Sequence, residues 1–342
     1  MSQIVIVEHF QKPMTDCLAI SDKTISRACT LLSEGQLVAF PTETVYGLGG
    51  DATNAAAVAK IFAAKDRPAF NPLISHVASP RAAFQLGKET PLASVLAQAF
   101  WPGPMTLVLN RQDGCPVAML TTAGLEKIAV RVPAHAGAHA LLMAYGKPVA
   151  APSANPSGRI SPSMAQHVLS GLQGKLALIL DGGACVNGLE STVIDASGDR
   201  PVLLRPGGVT RDAIAAALTR AGLGADIPMM PPHADNARPV APGQLASHYA
   251  PNAALRLMAT SAEAGEELIG FGRVNGVGRL ALTLSKSADL VEAAANLFSM
   301  LHQADSCGAT QIAVAPIPET GIGEAINDRL RRAAAPRPHS PG

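Results

Sequence analysis

Aromatic and charged residues are both scarce in this chain. Phe, Trp and Tyr make up 4% of its 342 residues, and Asp, Glu, Lys and Arg together make up 15%. The 27 basic and 26 acidic side chains leave a formal net charge of +1. A protein that coats nucleic acid without sequence preference needs a clear excess of Lys and Arg. The balance argues against that class of protein but leaves room for a local basic cleft.

Cysteine pairs and long apolar runs are missing as well. The five cysteines are scattered and none forms a CxxC pair, so we predict neither a disulfide framework nor a zinc site. No uninterrupted apolar stretch is long enough to cross a bilayer, and the first residues lack the basic and apolar regions of a signal peptide. We therefore expect a soluble cytoplasmic protein whose thiols stay reduced.

The common nucleotide and hydrolase motifs are not found. The sequence has no GxxxxGK[ST] loop, no GxGxxG that opens a helix, no HExxH and no GxSxG. These absences argue against the active sites of P-loop enzymes, Rossmann dehydrogenases, zinc proteases and α/β-hydrolases. A nucleotide bound here must be held by another set of side chains.

Short apolar runs alternate with amphipathic segments along the first two thirds of the chain. The runs QLVAF at 36–40 and PLISHV at 72–77 predict buried strands, and TNAAAVAKIFAAK between them predicts a helix. Several later strand candidates follow one another without a helix between them, which favours a mixed or antiparallel sheet. We predict an α/β fold with α+β character, in which a twisted mixed sheet and its helices surround an open cleft.

The composition changes after residue 222. Residues 223–252 are rich in proline and show no apolar periodicity, which is typical of a linker. We predict a catalytic domain at 1–222, a linker that folds over the active site at 223–252, a small open α/β sandwich domain at 253–335, and a disordered tail at 336–342.

Polar side chains gather in two stretches, PTETVYGLGG at 41–50 and KDRPAFNPLISHV at 65–77. Loops at strand ends are where α/β folds usually place their chemistry. Lys65 and Arg67 stand where a predicted helix ends. Two cations at this point either complement the helix dipole or bind phosphate, with Arg as a bidentate fork and Lys as a point charge.

A third polar stretch, APSANPSGRIS at 151–161, joins a predicted strand to a helix. Its hydroxyls and Asn155 form either an ordinary turn or an anion cradle. Arg131 interrupts the apolar strand IAVRVP, and a buried charge must be paired. The partner is either a structural carboxylate, such as Glu43 or Glu190, or the carboxylate of a substrate.

Three further polar residues each fit two interpretations. His76 lies in the apolar run LISHV, where a core histidine is the simpler interpretation than a catalyst. Asp181 precedes two glycines and belongs either to a plain turn or to a metal-bound phosphate site. Arg205 repeats the pattern of a cation at a strand end before Pro and Gly.

Seven motifs in this sequence resemble the YrdC-like threonylcarbamoyl-AMP synthases, in their long two-domain form. The motifs are PTETVYGLG, KDRPAFNPL, WPGPMTLVL, VRVP, APSANPSG, DGGACVNGLESTVID and LLRPGG, and the resemblance covers about residues 22–222. SHYAP at 247–251 is similar to the linker of the long form. Seven collinear motifs are far more specific than any one of them, whereas the residues after SHYAP match only in length and α/β pattern.

The resemblance implies a nucleotidyltransferase, L-threonylcarbamoyladenylate synthase. L-threonine, bicarbonate or CO₂, and ATP with Mg²⁺ would give L-threonylcarbamoyladenylate and pyrophosphate. A downstream tRNA threonylcarbamoyl transferase complex would then modify the adenosine beside the anticodon, so the synthase would meet tRNA only indirectly and would need no membrane. The resemblance implies no protein-bound metal.

The resemblance also implies the site residues. The catalytic Lys-x-Arg and Ser-x-Asn tetrad falls on Lys65, Arg67, Ser153 and Asn155. The L-threonine pocket falls on Thr44, His76, Arg131, Ala151 and Ser191. The ATP contacts fall on Arg67, Asn71, Lys127, Ser153, Ser161, Arg205 and Tyr249.

Two other functions compete with this one. A double-stranded RNA-binding or ribosome-assembly factor would use the same concave basic surface, but near-neutral net charge and few aromatics weaken that hypothesis. Carbamoyl transfer in hydrogenase maturation uses a related domain, but proteins of that kind also carry zinc fingers, which the scattered cysteines exclude.

Overall fold

The computed structural model describes residues 14–230 and 247–336, which we call the N-terminal part and the C-terminal part. Ten strands form one sheet in the N-terminal part. They are β1 (Asp16–Ala19), β2 (Val38–Phe40), β3 (Gly47–Asp51), β4 (Ile74–His76), β5 (Met105–Asn110), β6 (Lys127–Arg131), β7 (Val149–Ala150), β8 (Leu178–Asp181), β9 (Thr192–Asp195) and β10 (Val202–Arg205). The α-helices of this part are α1 (Asp22–Ser33), α2 (Ala55–Lys65), α3 (Pro80–Phe84), α4 (Pro91–Phe100), α5 (Ala136–Tyr145), α6 (Ala165–Leu172) and α7 (Arg211–Arg220).

The sheet mixes parallel and antiparallel neighbours. Its strand order is β1-β8-β2-β3-β7-β4-β6-β5-β9-β10. β2 runs parallel to β8 and antiparallel to β3, and β4 runs parallel to β6 and antiparallel to β7. The predicted mixed sheet with helices around it is therefore confirmed.

The C-terminal part is a smaller α/β unit. Three parallel strands lie in the order β11-β13-β12, and two helices accompany them. The elements are β11 (Ala254–Arg256), β12 (Glu266–Ile269), α8 (Leu290–Ser306), β13 (Gln311–Val314) and α9 (Gly323–Ala334). The run RLALTLS at 279–285 predicts a strand by its alternation, but it forms only an isolated bridge, between Thr283 and Gly270.

The predicted domain limits remain a prediction. Most of the predicted linker, residues 231–246, and residues 337–342 of the predicted tail lie outside the described residues. In the part of the chain that the structure describes, no helix is both long and apolar enough to cross a membrane.

The glycine run of 47–50 is a strand, although its composition predicts a loop. It forms β3, between β2 and β7. A Cβ added at Gly49 would lie 2.8 Å from the Phe40 ring and 3.0 Å from Val149, because both neighbouring strands pack closely over it. Glycine is therefore needed here for close approach, and the buried strand fixes the position of the polar turn that precedes it.

Helix α2 ends where the polar stretch 65–77 begins. Asn54 caps its first turn through bonds from the N–H groups of Ala56 and Ala57. Asp66 adopts a left-handed backbone conformation with φ of 51°, which stops the helix directly after Lys65. The chain then turns through residues 66–73 toward β4.

The two parts share one apolar cluster. Val45, Ile160 and Leu189 of the N-terminal part pack with Tyr249 and Phe298 of the C-terminal part. Closer still, a Cβ at Gly188 would lie 2.4 Å from the carbonyl oxygen of Ala295 in α8. The C-terminal part is therefore packed tightly against the N-terminal part.

Ion pairs and rings also cross the seam between the parts. Arg329 of α9 donates to Glu190 at 2.8 Å, and Arg211 donates to Glu324 at 2.5 Å. The rings of His167 and His302 stack with centroids 3.9 Å apart. Burial lowers the pKa of each of these two histidines to about 4, so the stack is uncharged near neutral pH.

The close approach at β3 gives the first prediction. Gly49→Ala should lower the free energy of unfolding by roughly 1–3 kcal/mol, because the added methyl overpacks against Phe40 and Val149. Chemical denaturation measures this loss. Gly198→Ala is the matched control, since a Cβ at Gly198 meets nothing within 4 Å. Equal stability of the two variants would show that β3 is not tightly packed.

Candidate active site

A cleft opens where several strand ends and two loops of the N-terminal part meet the start of the C-terminal part. Its empty space, including the part that is open to solvent, is about 580 Å³. We define the cleft by its lining residues, which are Thr42, Thr44, Val45, Gly47, Arg67, Pro72, Leu73, Ile74, His76, Arg131, Ala151, Pro152, Ser153, Glu190, Ser191, Arg205, His248 and Tyr249.

Strand register brings His76 and Arg131 together. β4 and β6 are parallel neighbours, and His76 is paired directly with Arg131. Both side chains are buried, at 3% exposure each. Burial first, and then the Arg131 charge, lower the pKa of His76 to about 3. His76 is therefore a neutral group beside a permanent cation.

Arg131 is paired with Glu43, which is one of the carboxylates that the sequence offered as its partner. One Arg131 nitrogen donates to Glu43 Oε1 at 2.6 Å, and Arg131 Nε donates to the Gly103 carbonyl at 3.3 Å. The other carboxylate oxygen accepts from the Ala134 N–H at 3.0 Å. Burial alone would raise the pKa of Glu43, but the Arg131 charge and these hydrogen bonds lower it below its ordinary value. Arg131 still lines the cleft, so the structural and ligand-binding interpretations are compatible.

Lys65 holds the stretch 151–161, which we call the serine-asparagine loop. Lys65 is 1% exposed, and its ammonium group donates to the carbonyl oxygens of Ser153 and Asn155. Burial, followed by the neighbouring charge of Arg67, lowers the pKa of Lys65. Lys65 and Asn155 are absent from the cleft lining, whereas Ser153 belongs to it. Lys65 thus orders the backbone that presents Ser153.

Arg67 points into the cleft from the loop after α2. Its Nε donates to the Asn71 carbonyl at 3.2 Å, and a terminal nitrogen donates to the Pro72 carbonyl at 3.0 Å. Burial lowers the pKa of Arg67 to about 10, which leaves it charged near pH 7. Asn71 is buried with neither side-chain oxygen nor nitrogen bonded. An unpaired buried amide indicates a missing partner.

Arg205 and Ser191 form the opposite wall. Arg205 donates from Nε at 3.1 Å and from a terminal nitrogen at 2.9 Å to the Ser191 carbonyl oxygen. The Ser191 hydroxyl lies 2.8 Å from that of Thr106. Ser161 is buried behind this wall, where its hydroxyl donates to Glu190. Ser161 is not among the lining residues.

Tyr249 and His248 close the cleft from the C-terminal part. The Tyr249 ring is 1% exposed and stacks on Phe298 with centroids 5.7 Å apart. His248 is buried beside it, with ring centroids 4.1 Å apart. Burial, and then the charges of Arg67 and Lys65, hold the pKa of His248 well below its ordinary value. Sequence reasoning missed His248, whose only signal was its place before Tyr249 in SHYAP.

Two residues lie away from the cleft. Lys127 stands at the far end of β6 from Arg131, and its ammonium donates to Asp195 at 2.7 Å. The structure therefore gives the Lys127 side chain no place in the lining. Asp181 accepts from the Gly183 N–H at 2.9 Å, so it serves the turn after β8.

Thr44 and Ala151 line the cleft, whereas Asn71 is not among the lining residues. Thr44 lies in the turn before β3, with its hydroxyl 2.7 Å from that of Thr42. The Ala151 N–H donates to the Ile74 carbonyl at 3.0 Å, which joins the serine-asparagine loop to β4.

The cleft can neutralise anions, and no nucleophile is paired with a base among the described residues that line it. Its guanidinium groups belong to Arg67, Arg131 and Arg205. The one lining carboxylate, Glu190, already accepts from Ser161 and Arg329. Neutral His76 and His248 add polar surface without charge. Such a site defines a protein that binds small anionic ligands and acts by holding them.

Comparison with known families agrees with this class. A family model described as "Telomere recombination" matches residues 30–207. A second, described as "Threonylcarbamoyl-AMP synthase, C-terminal domain", matches residues 209–335. The threonylcarbamoyl-AMP synthase of Bacillus subtilis (strain 168) is 40% identical over 95% of this chain and 96% of its own length. That of Schizosaccharomyces pombe is 36% identical over 87% of this chain and 85% of its own.

A solved structure shows the same architecture. The crystal structure of P. abyssi Sua5 complexed with L-threonine superposes with a TM-score of 0.82 and 38% identity, over 95% of this chain and 98% of that one. The chain belongs to the threonylcarbamoyl-AMP synthase family.

The burial of His76 predicts a pH dependence. An unfolded histidine takes up a proton near pH 6.5, whereas the folded His76 does so only near pH 3. The free energy of unfolding should therefore fall as pH drops from about 6.5 toward 3. His76→Gln should shrink the loss between pH 7 and pH 5 by about 2 kcal/mol, measured by denaturant unfolding. An unchanged loss would place His76 in contact with water.

Proposed function

We propose that this chain makes L-threonylcarbamoyladenylate from L-threonine, bicarbonate or CO₂, and ATP, with release of pyrophosphate. The observation that carries the proposal is one cleft in which three guanidinium groups face a shared space, with no nucleophile paired to a base among its described lining residues. The relatives' names and the L-threonine in the P. abyssi structure support the choice of substrates.

L-threonine fits the end of the cleft at β4 and β6. Its carboxylate needs a cation in a dry setting, and Arg131 provides one at 3% exposure. Neutral His76 beside it keeps the site from carrying excess charge. Thr44, Ala151 and Ser191 complete the proposed threonine pocket, and all three line the cleft.

ATP fits the end between Arg67 and Arg205. These two cations face phosphate oxygens in our proposal, and Ser153 and Tyr249 line the same space. The unbonded amide of Asn71 gains a partner once the nucleotide is bound. Ser161 acts from behind the wall through Glu190. Lys127 contributes no side-chain contact to ATP, since Asp195 holds it outside the cleft.

Mg²⁺ accompanies ATP as its counterion in this proposal. Among residues 14–230 and 247–336 there is no group of three or more His, Cys, Asp or Glu side chains that could hold a metal. Glu190, which lines the cleft, is paired with Arg329, and Glu43, which does not line it, is paired with Arg131. The metal would therefore be held by the phosphate oxygens and not by a dedicated protein site.

The chemistry then needs no side-chain nucleophile. The threonine amine attacks the carbon of CO₂ and loses a proton, which gives a carbamate. A carbamate oxygen attacks the α-phosphorus of ATP, and pyrophosphate leaves. Arg67 and Arg205 neutralise the developing phosphate charge, and Arg131 orients the threonine, so catalysis comes from positioning and electrostatics. Lys65 and Asn155 position Ser153, because the Lys65 ammonium group donates to the backbone carbonyls of Ser153 and Asn155.

The product is a reactive mixed anhydride, which requires an acceptor. We propose a tRNA threonylcarbamoyl transferase complex as the consumer, so that this chain meets tRNA only indirectly. All five cysteines fall within the described residues and are unpaired. This fits a reducing compartment and supports the proposal of a cytoplasmic location. No feature of the cleft favours the RNA-binding alternative.

Pyrophosphate release from ATP tests the proposal. We expect release only when L-threonine and bicarbonate are both present, because the carbamate is the group that displaces pyrophosphate. Threonine-independent ATP turnover would contradict the reaction. Salt-dependent binding of double-stranded RNA without any turnover would establish the alternative function.

A matched pair of variants sharpens this test. Arg131→Lys keeps the charge near Glu43 but loses the fork, so KM for threonine should rise roughly ten-fold while KM for ATP changes by less than about two-fold. Arg27→Lys alters a surface ion pair with Asp16 and should leave both constants unchanged. Equal rises in the two constants would remove Arg131 from the threonine pocket.

A further inference from the structure

We propose that Arg329, which belongs to the C-terminal part, is a positioning residue of the cleft. It sets the places of Glu190, Arg205 and Tyr249 without touching a ligand. The proposal assigns the small α/β unit a direct part in building the nucleotide end of the site. Its kinetic test rests on the proposed function, whereas its structural test does not.

Arg329 is fully buried at the seam. It lies on α9, and its side chain is 0% exposed. Nε donates to Glu190 at 2.8 Å, one terminal nitrogen donates to the Pro206 carbonyl at 2.9 Å, and the other donates to Asp328 at 2.6 Å. A surface arginine on an amphipathic helix would make few such bonds, so this one is committed to the junction.

The acceptors of Arg329 sit next to residues that line the cleft. Glu190 precedes Ser191, and Pro206 follows Arg205. The Arg205 guanidinium itself bonds to the Ser191 carbonyl at 2.9 Å. Arg329 therefore ties together, from outside, the two backbone segments that make up one wall of the cleft. Its planar fork can do this because it offers several donors in fixed directions.

Arg329 also supports Tyr249. Its guanidinium carbon lies 5.2 Å from the centre of the Tyr249 ring, within the range of a cation–π contact. Tyr249 has a positive φ of 66°, a backbone conformation that is unfavourable for a non-glycine residue and needs fixed surroundings. The Phe298 ring also stacks with that of Tyr249.

The ion pair between Arg329 and Glu190 also determines the charge of the cleft wall that Arg205 and Ser191 form. Glu190 is buried close to both Arg205 and Arg329. Because Arg329 takes one Glu190 oxygen and Ser161 the other, Glu190 does not need Arg205 as a partner. The Arg205 charge stays available to a ligand. Without Arg329, a buried unpaired carboxylate would compete for Arg205 and repel phosphate.

The test compares Arg329→Lys with Arg331→Lys on the same helix. Arg331 is half exposed and pairs with Glu319, so its variant is the matched control. Arg329→Lys keeps the charge beside Glu190, which favours folding, but cannot reach Pro206 and Tyr249 at once. We expect KM for ATP to rise roughly ten-fold in threonine-dependent pyrophosphate release, and KM for threonine to change by less than about three-fold. Arg331→Lys should match the wild type in both.

Hydrogen exchange provides a readout that needs no ligand. Arg329→Lys should speed amide exchange at 189–193, 205–208 and 247–250 relative to Arg331→Lys, while thermal unfolding stays close to the wild type. Should Arg329→Lys not fold, Arg329→Met in combination with Glu190→Gln removes both buried charges and takes its place, with the same exchange expected.

The possible results distinguish the positioning role of Arg329 from the proposed function. Unchanged exchange at the three segments, or a folded Arg329→Lys with both KM values at wild-type level, would overturn the positioning role. A loss of folded protein with unchanged KM values would make Arg329 a stability residue only. A wild type without threonine-dependent pyrophosphate release would refute the proposed function, and the exchange measurement would still decide the role of Arg329.

Discussion

A charge that is taken out of water must meet an opposite charge, and this constraint shapes the molecule at two places. Glu43 and Arg131 meet at 2.6 Å inside the N-terminal part, and Glu190 and Arg329 meet at 2.8 Å across the seam. The first pair fixes a cation at the C-terminal end of β6. The second fixes the C-terminal part against the cleft wall. Both carboxylates are thereby occupied, and the remaining cations are left for a ligand.

Those remaining cations are oriented by neutral groups. Arg67 donates to the carbonyls of Asn71 and Pro72, and Arg205 donates to the carbonyl of Ser191. A carbonyl oxygen directs a guanidinium group without cancelling its charge. The cleft therefore holds positive charge in place before any ligand arrives, which is the arrangement that lowers the barrier for a displacement at phosphorus.

Much of the fold and site could be predicted, because strands, caps and polar loops leave local patterns. Thr44, Arg67, Ser153 and Arg205, which the motifs single out, line the cleft, and their roles there stay predictions. Features that depend on strand register, or on contacts between residues far apart in the chain, could not be predicted. The pairing of His76 with Arg131 follows from β4 lying beside β6, and the strand at 47–50 follows from the neighbours of Gly49. The Lys65 side chain donates to backbone carbonyls, and that of Lys127 points away from the cleft. In the sequence, Arg329 resembles any arginine on a helix surface, and its role becomes visible only when the two parts are packed together.

In the function that we propose, one cleft holds an amino acid and a nucleotide side by side. Calorimetric titration of L-threonine into the protein, with and without a saturating non-hydrolysable ATP analogue, measures whether both fit at once. We expect one threonine per chain in both cases, with affinity unchanged or tighter when the nucleotide is present. Loss of threonine binding in the presence of the nucleotide would mean that the two ligands compete for one place, and would contradict the claim.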